Sequence, residues 1–270
     1  MKKAILITGS TDGLGLETAK VLAGSGHEVL LHGRSQAKLQ RAVEIIAAEF
    51  GVSPAPSFCA DLSDFSAVSG LVQEIQNLET APDVVINNAG VFKLAEPKLA
   101  SGLDARFMVN TIAPYLLAKE LSASMNEEGR MVNLSSAAQA PVSLPALRGE
   151  LELGDNAVYA QSKLALTMWS RHLATTLGPQ APTMIAVNPG SFLGTKMVQE
   201  AYGTAGADIG IGADVLSRAA LAEEFGQESG RYFDNDAGRF ASPHPDALDA
   251  AKSAEVVETI ESILQAKLIK

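Results

Sequence analysis

Cysteine is almost absent from this chain. Cys59 is the only one in 270 residues, which excludes an internal disulfide framework and any zinc site built from cysteine thiolates. Long apolar runs are missing too. The opening segment Ala4–Ile7 stops after four residues at Thr8-Gly9, too short for the core of an export signal. No stretch approaches the roughly 18 apolar residues a membrane span needs. Cations are scarce: 21 Lys and Arg against 31 Asp and Glu give a formal net charge of −10. A broad basic face is therefore excluded, so nucleic acid and anionic membrane are not expected partners, although a small basic pocket is compatible. His27, His32, His172 and His244 share no metal-ligand spacing. They are expected to be structural or exposed, and no metal is expected. These absences point to a soluble protein of a reducing, cytoplasmic compartment.

Hydrophobic residues make up 47% of the chain, enough for a sizeable core. There is no internal repeat, low-complexity tract or linker, so residues 1–270 are expected to form one domain. Short apolar runs alternate with longer patterns of helical period. Ala4–Ile7, Glu28–His32, Ser57–Ala60, Val84–Asn87, Met131–Leu134 and Met184–Val187 read as strands. Leu14–Ala23, Gln36–Phe50, Phe65–Leu78, Leu103–Met125 and Asn156–Leu177 read as helices. Alternating strands and helices mean βαβ units, and apolar runs without alternation mean strands buried on both faces. The expected fold is α/β, a three-layer, doubly wound parallel sheet. Ser35 and Ser63 are placed as helix N-caps, Gly51 as a helix terminator, and Pro114 predicts a kink or late start in its helix. Two segments break the rhythm: 137–154, and a Gly-, Thr- and Ala-rich stretch over 190–212 suited to a substrate loop. The tail, about 230–270, adds a short strand at Arg231–Phe233 and a helix near Ala254–Leu268.

The first strand runs into Thr8-Gly9-Ser10-Thr11-Asp12-Gly13-Leu14-Gly15, and a helix follows. Glycines there let the chain turn tightly and let a pyrophosphate approach, while the helix N-terminus offers free N–H groups. Where the second strand ends, a dinucleotide fold places the adenosine ribose. An acidic residue at that point would favour a free 2′-hydroxyl. This chain has Gly33, Arg34 and Ser35, with Lys38 a turn later, which favours a 2′-phosphate and hence NADP(H) over NAD(H). Asp12 pulls weakly the other way, and a merely solvated Arg34 is the bland alternative.

Tyr159 and Lys163 stand at i and i+4 of a helical pattern, so hydroxyl and ammonium share one face. A nearby cation is expected to lower the phenol pKa and ready it for proton exchange. Taken alone the pair is an ordinary helix surface. However, Asn87-Asn88-Ala89-Gly90, Asn133-Leu134-Ser135-Ser136 and Asn188-Pro189-Gly190 all end strands, at the carboxyl edge where open α/β sheets bind ligands.

Together, Thr8-Gly9-x3-Gly13-x-Gly15, Asp61-Leu62, Asn87-Asn88-Ala89-Gly90, Asn110, Ser136, Tyr159-x3-Lys163 and Asn188-Pro189-Gly190 with Thr195 resemble the short-chain dehydrogenase/reductase family. The resemblance covers about residues 4–235. It implies a Rossmann fold and NAD(P)-dependent transfer of hydride between nicotinamide and a carbonyl or alcohol. It further implies that Tyr159 is the general acid/base, that Lys163 binds the nicotinamide ribose, and that Ser136 orients the substrate oxygen. Asn110 would support a water-linked proton relay. Gly9, Ser10, Thr11, Gly13, Leu14 and Gly15 would surround the pyrophosphate. Asp61 and Leu62 would flank the adenine, Asn88, Ala89 and Gly90 would border the cofactor, and Pro189, Gly190 and Thr195 would hold its carboxamide end. Ser135 competes with Ser136; the family pattern favours the second.

The 23 residues from Ser136 to Tyr159 exceed the spacing in many members and resemble the retinol-dehydrogenase-like branch. Family habit implies a homodimer through the helices at Leu103–Met125 and Asn156–Leu177. A dinucleotide-sensing regulator without turnover, on the same fold, is the other functional reading, and extended epimerase-like relatives are a third. Leu193, Met197, Val198 and Tyr202 read either as core or as an apolar substrate wall. Trp169 reads as core or interface, Cys59 as a small buried hydrophobe, and Glu150 and Glu152 as a solvated loop.

Overall fold

In the computed structural model, which describes residues 1–52, 55–178 and 180–268, one sheet of eight strands organises the chain. The strands are β1 Ala4–Ile7, β2 Glu28–Gly33, β3 Ser57–Cys59, β4 Val84–Asn87, β5 Arg130–Leu134, β6 Thr183–Asn188, β7 Tyr232–Asp234 and β8 Arg239–Ala241. Their spatial order is β3-β2-β1-β4-β5-β6-β7-β8. All neighbours are parallel except β7 and β8, an antiparallel pair. The order reverses between β1 and β4, where a crevice opens at the carboxyl edge.

The helices are α1 Gly13–Gly24, α2 Gln36–Phe50, α3 Phe65–Gln76, α4 Ala105–Phe107, α5 Ala113–Ser122, α6 Leu144–Leu147, α7 Asp155–Thr176, α8 Lys196–Tyr202, α9 Ile209–Leu221 and α10 Ala250–Leu268. Successive strand residues feed opposite faces, as the period of two requires. Leu6, Val85, Met131 and Met184 join α3, α5, α7 and α10 in one core. Ile5, Ile7, Val84, Ile86, Val132, Leu134, Ile185 and Val187 join α1, α2 and α9 in the other. Both faces of the central strands are apolar for that reason.

Several expectations meet corrections. The strand at Arg231–Phe233 begins one residue later, and β8 closes a hairpin with it that the sequence pattern did not reveal. Segment 190–212 holds α8 and the start of α9. Asp64, not Ser63, caps α3, accepting from Ala67 N at 2.8 Å. Ser35 occupies the cap position of α2 without a side-chain bond, and Gly51 ends that helix in the left-handed region at φ 63°. Cys59 is exposed on the edge strand, not buried. Trp169 is core, fully buried and edge-on to Tyr115 at 5.7 Å. Glu150 and Glu152 form surface ion pairs with Arg148 and Lys98. The last two residues of the predicted 230–270 tail lie outside the described residues.

The helix predicted over Leu103–Met125 is broken into α4, a π-helical turn at Met108–Ile112 and α5, with Pro114 in the first turn of α5. Proline lacks an N–H and clashes with the preceding turn, so a regular helix cannot run through it. Arg106, 1% exposed, ties the start of this region to the start of α7 by ion pairs with Asp104 and Asp155. α10 packs on part of the α5 and α7 surface that was expected to pair two copies. Glu261 of α10 accepts hydrogen bonds from Tyr115 and Lys119 of α5, and Val256, Val257, Ile260 and Ile263 of α10 join the core that α7 forms with Leu166 and Trp169. Among the described residues, no helix is long and apolar enough to cross a membrane.

His32, 2% exposed, holds the crevice side of the sheet. Its Nδ1 accepts from Gly9 N at 3.1 Å and its Nε2 lies 3.1 Å from Ala60 O. The first bond requires an unprotonated Nδ1, so Nε2 carries the hydrogen and donates. Burial pushes the imidazole down to about 4. The unfolded chain therefore binds the extra proton from about pH 6.5 downward, and the folded one only near 4. Stability falls as pH drops through that window, by up to about 3 kcal/mol. Urea midpoints at pH 7 and pH 5 are expected to show this loss, and His32→Gln to shrink it; equal losses in both proteins would contradict the role. His27, also lowered by partial burial, acts in the same direction.

Candidate active site

The turn after β1 is shaped by close backbone approach. A Cβ on Gly15 would lie 2.3 Å from Gly9 O and 2.5 Å from Asn88 Nδ2, so no side chain fits there. Gly9 itself sits in the left-handed region at φ 65°. Asn88 Nδ2 donates to Thr8 O at 2.9 Å and Gly9 O at 3.1 Å, and Thr8 Oγ1 accepts from Ala89 N at 3.1 Å. The turns after β1 and β4 thus lock each other. The first backbone bond of α1 runs from Leu16 N to Asp12 O at 3.3 Å, so the N–H groups of Gly13, Leu14 and Gly15 fall in the helix's first turn, where the helix itself offers no acceptor.

These turns line a cavity of about 640 Å³ at the carboxyl edge of the sheet. It is bordered by Gly9, Thr11, Gly13, Leu14, Gly15, Gly33, Arg34, Ser35, Asp61, Leu62, Asn88, Ala89, Gly90, Ser136, Tyr159, Lys163, Pro189, Gly190 and Thr195. Two predicted residues stand apart from the lining. The Ser10 hydroxyl faces into the sheet, donating to His32 O at 3.3 Å and accepting from His32 N at 2.9 Å. Its side chain therefore braces β2 rather than meeting a ligand. Asn110, in the π turn, accepts from Val91 N at 2.8 Å and donates to Val91 O at 2.9 Å and Ser162 Oγ at 3.0 Å. Its amide pins the loop after β4 to α7.

Charge in the cavity is opposite to that of the whole chain. Arg34, Lys38, Lys93, Lys163 and Lys196 line it against Asp12, Asp61 and Glu200. Arg34 is exposed and has no acidic partner among the described residues. Lys38 is 3.0 Å from Asp12, so these two opposed predictions face each other across the mouth.

The side chains predicted to carry the chemistry line one cavity. Tyr159 and Lys163 come from α7, with the Lys163 nitrogen 5.9 Å from the Tyr159 ring centre. Lys163 is 4% exposed, donates to Leu134 O at 2.7 Å, and has no carboxylate partner among the described residues. Desolvation pushes its ammonium down to about 8. Burial raises the Tyr159 phenol, and interaction with the Ser136 hydroxyl partly opposes that. The lowering by Lys163 expected from the sequence is not found: burial dominates, and the opposing influence comes from Ser136. Ser136 Oγ accepts from Ala138 N at 3.1 Å, leaving its own hydrogen to donate outward. Ser135 is turned inward, 3% exposed, with its hydroxyl 2.6 Å from Thr167 Oγ1. Both serines border the cavity, but the Ser135 hydroxyl is engaged within the fold while that of Ser136 keeps a hydrogen to donate.

Other contributors were not singled out from the sequence. Val91, Phe92, Lys93, Leu94 and Phe192 also line the cavity, with Leu193, Met197, Val198 and Tyr202. The last four are therefore wall rather than remote core. Phe92 packs on Tyr159 with ring centres 4.7 Å apart, and Tyr202 lies 6.1 Å from Phe92. The apolar run after Gly90 was the available signal, but a loop residue beside an active site looks like any core residue in sequence.

Known proteins with similar sequences point one way. The short chain dehydrogenase family profile matches residues 3–206. The chain is 31% identical to human polyprenol dehydrogenase over 70% of its length, a match spanning 60% of that protein. It is 30% identical to mouse retinol dehydrogenase 12, over 86% of this chain and 77% of that one. A short-chain dehydrogenase of Burkholderia cenocepacia, solved in complex with NADP, superposes with TM-score 0.69 at 26% identity, covering 86% of this chain and 95% of that one. An uncharacterised protein of Mycobacterium paratuberculosis shares the fold with TM-score 0.76 at 23% identity, over 97% and 93%. The chain belongs to the short-chain dehydrogenase/reductase family of NAD(P)-dependent oxidoreductases, in its retinol-dehydrogenase-like branch.

Proposed function

We propose that this protein interconverts a carbonyl and an alcohol with NADP(H) as the favoured cofactor, using Tyr159 as general acid/base. The observation that carries this is the convergence of Tyr159, Ser136 and the buried, acid-free Lys163 on a cavity whose other end is the glycine turn. The cavity fits a dinucleotide on three counts. Its glycine turn leaves no room for a Cβ at Gly15, the N–H groups of α1 are open to a pyrophosphate, and cations outnumber carboxylates along it. When bound, the nicotinamide supplies or accepts the hydride.

The residues of this chain handle the proton and the oxygen. In the reducing direction Tyr159, kept protonated by burial, donates its phenolic hydrogen to the carbonyl oxygen as negative charge builds there. Ser136 donates a second hydrogen bond to the same oxygen, so both contacts strengthen toward the transition state. Lys163 offers its remaining hydrogens to the ribose hydroxyls and its charge to the phenolate left behind. In the oxidising direction the proton moves back from alcohol to Tyr159. Asn110 maintains this arrangement by fixing Val91 and Ser162 around Lys163. Arg34 is assigned to the 2′-phosphate, and the NADP bound by the Burkholderia relative supports that choice. Phe92, Leu193, Met197, Val198 and Tyr202 favour a substrate with an apolar body. Nothing favours the sensor reading, since the proton-transfer pair is intact.

Tyr159→Phe is expected to lower turnover by about 100-fold or more while NADPH binding, followed by fluorescence, changes little. Loss of cofactor binding with turnover per bound cofactor preserved would sink the assignment. Arg34→Ala is expected to weaken NADPH binding by about 10- to 100-fold and NADH binding hardly at all. A comparable loss for both would remove the NADP preference. A panel of 4-nitrobenzaldehyde, cinnamaldehyde, menadione and long-chain alcohols, assayed with NADP(H), identifies the substrate class.

A further inference from the structure

The Ser136 backbone carbonyl receives two hydrogen bonds from outside its own strand. Gln139 Nε2 donates to it at 3.0 Å, and the Tyr232 hydroxyl donates at 3.2 Å. Gln139 is itself held, because its Oε1 accepts from His244 N at 2.9 Å. Tyr232 lies in β7 and is 4% exposed. Both Tyr232 and His244 lie beyond residues 3–206, the part matched by the family profile. The C-terminal hairpin and the turn after it therefore reach back to the loop after β5 at Ser136, the serine assigned above to the substrate oxygen.

The bonds fall in a useful pattern. Ser136 Oγ is an acceptor for Ala138 N, so the side chain and the next turn form one small unit. That unit is hinged on the Ser136 peptide. Clamping the carbonyl fixes the plane of the peptide that leads to Ala138, and the bond from Ala138 N then fixes where Ser136 Oγ sits. A loop residue without such support would sample other orientations, and a displacement of about 1 Å is enough to weaken a transition-state hydrogen bond severely. Tyr232 suits the task because burial beside Asp234 and Asp236 raises its phenol, so it stays a donor at any working pH.

We propose that Gln139 and Tyr232 are positioning residues that clamp the Ser136 carbonyl and so aim the Ser136 hydroxyl at the substrate oxygen. This rests on the role of Ser136 given above, and the test separates the two. Tyr232→Phe removes one donor to the carbonyl, together with the interaction of that hydroxyl with Gln139, the other half of the clamp. Gln139→Glu keeps the acceptor for His244 N and removes the other donor. The assay is NADPH oxidation with whichever carbonyl of the panel turns over fastest, each variant made alone and on Ser136→Ala.

Ser136→Ala alone is expected to lower kcat by about 100-fold or more. Tyr232→Phe and Gln139→Glu are each expected to lower kcat by about 3- to 10-fold, with NADPH Kd and Tm nearly unchanged. On the Ser136→Ala background the same substitutions should cost less than about 2-fold, because the hydroxyl they aim is gone. In the unliganded protein, amide exchange at Ala138 should accelerate in both variants while α7 is unaffected. If Ser136→Ala leaves kcat intact, the serine's assigned role fails. If Ser136→Ala is slow but the other losses are equal on both backgrounds, or Ala138 exchange does not change, the serine's role stands and the clamp is refuted.

Discussion

An ammonium group buried without a carboxylate is the constraint on which this site depends. Lys163 has only Leu134 O within hydrogen-bonding distance among the described residues, and desolvation lowers its proton affinity. A lysine in a stable core is normally paired, since burying a charge alone is costly. This one is held in place by the helix that carries it. α7 packs Leu164, Ala165, Leu166, Met168 and Trp169 into the core, and Arg106 ties its first turn to α4 through Asp155. The packing of the hydrophobic face overrides the preference of one side chain for water. What results is an unneutralised cation next to a phenol, which suits negative charge developing on an oxygen.

The strand ends around it are fixed by amides. Asn87 donates to Asn133 at 2.8 Å, Asn133 donates to Ser170 Oγ at 2.9 Å, and Asn188 donates to Asp234 and Asp236 at 2.9 Å each. With Asn88 on the glycine turn and Asn110 on Val91, five asparagines brace the carboxyl edge. Each carries both a donor and an acceptor, so each can join two segments that have no ladder partners beyond the ends of their strands. Rigidity of this kind is what a proton-transfer geometry needs, because a small misplacement of a reacting group is costly. The π turn at Met108–Ile112 belongs to the same system, since it sets Asn110 between the loop after β4 and α7.

The sheet and the polar half of the cavity were legible in the sequence for a simple reason. Strands buried on both faces leave unbroken apolar runs, and their ends are punctuated by Gly, Asn and Ser, so residues from Gly9 to Gly190 could be put on one edge before any contact was known. What stayed hidden depended on side-chain direction. Ser10 and Ser136 are both turn serines in sequence, yet one faces β2 and the other the cavity. Cys59 sits in a three-residue edge strand whose outer residues are exposed, and an edge has no pattern to separate it from a central strand when it is that short. α9 was missed because Gly210 and Gly212 open it, residues that disfavour helix until tertiary packing decides. A Cβ at Gly212 would lie 2.5 Å from Leu193 Cδ1 and 2.9 Å from Leu14 Cδ1, so the two leucine tips would have to move to admit one.

The substrate side follows different rules. Segment 191–207 carries Phe192 at φ 54°, the one non-glycine residue with positive φ among the described residues. Ala207 N donates to Phe192 O and Gly194 N to Ala207 O, both at 2.7 Å, while Lys93 Nζ reaches Ala201 O at 2.8 Å. A bulky residue in that region is strained, so these bonds must hold it there. Phe192 and Tyr202 are each 55% exposed and pack edge-on at 5.1 Å. Leaving two large rings in water gains no folding energy, but it keeps an apolar surface beside a polar reaction centre. The polar half is built from strand ends that the whole fold determines, and the apolar half from the loop after β4, with Val91, Phe92 and Leu94, and from one locally strained segment. Neither Tyr159 nor Lys163 belongs to that segment, so the motif that made the pair readable in the chain carries no information about what binds beside it.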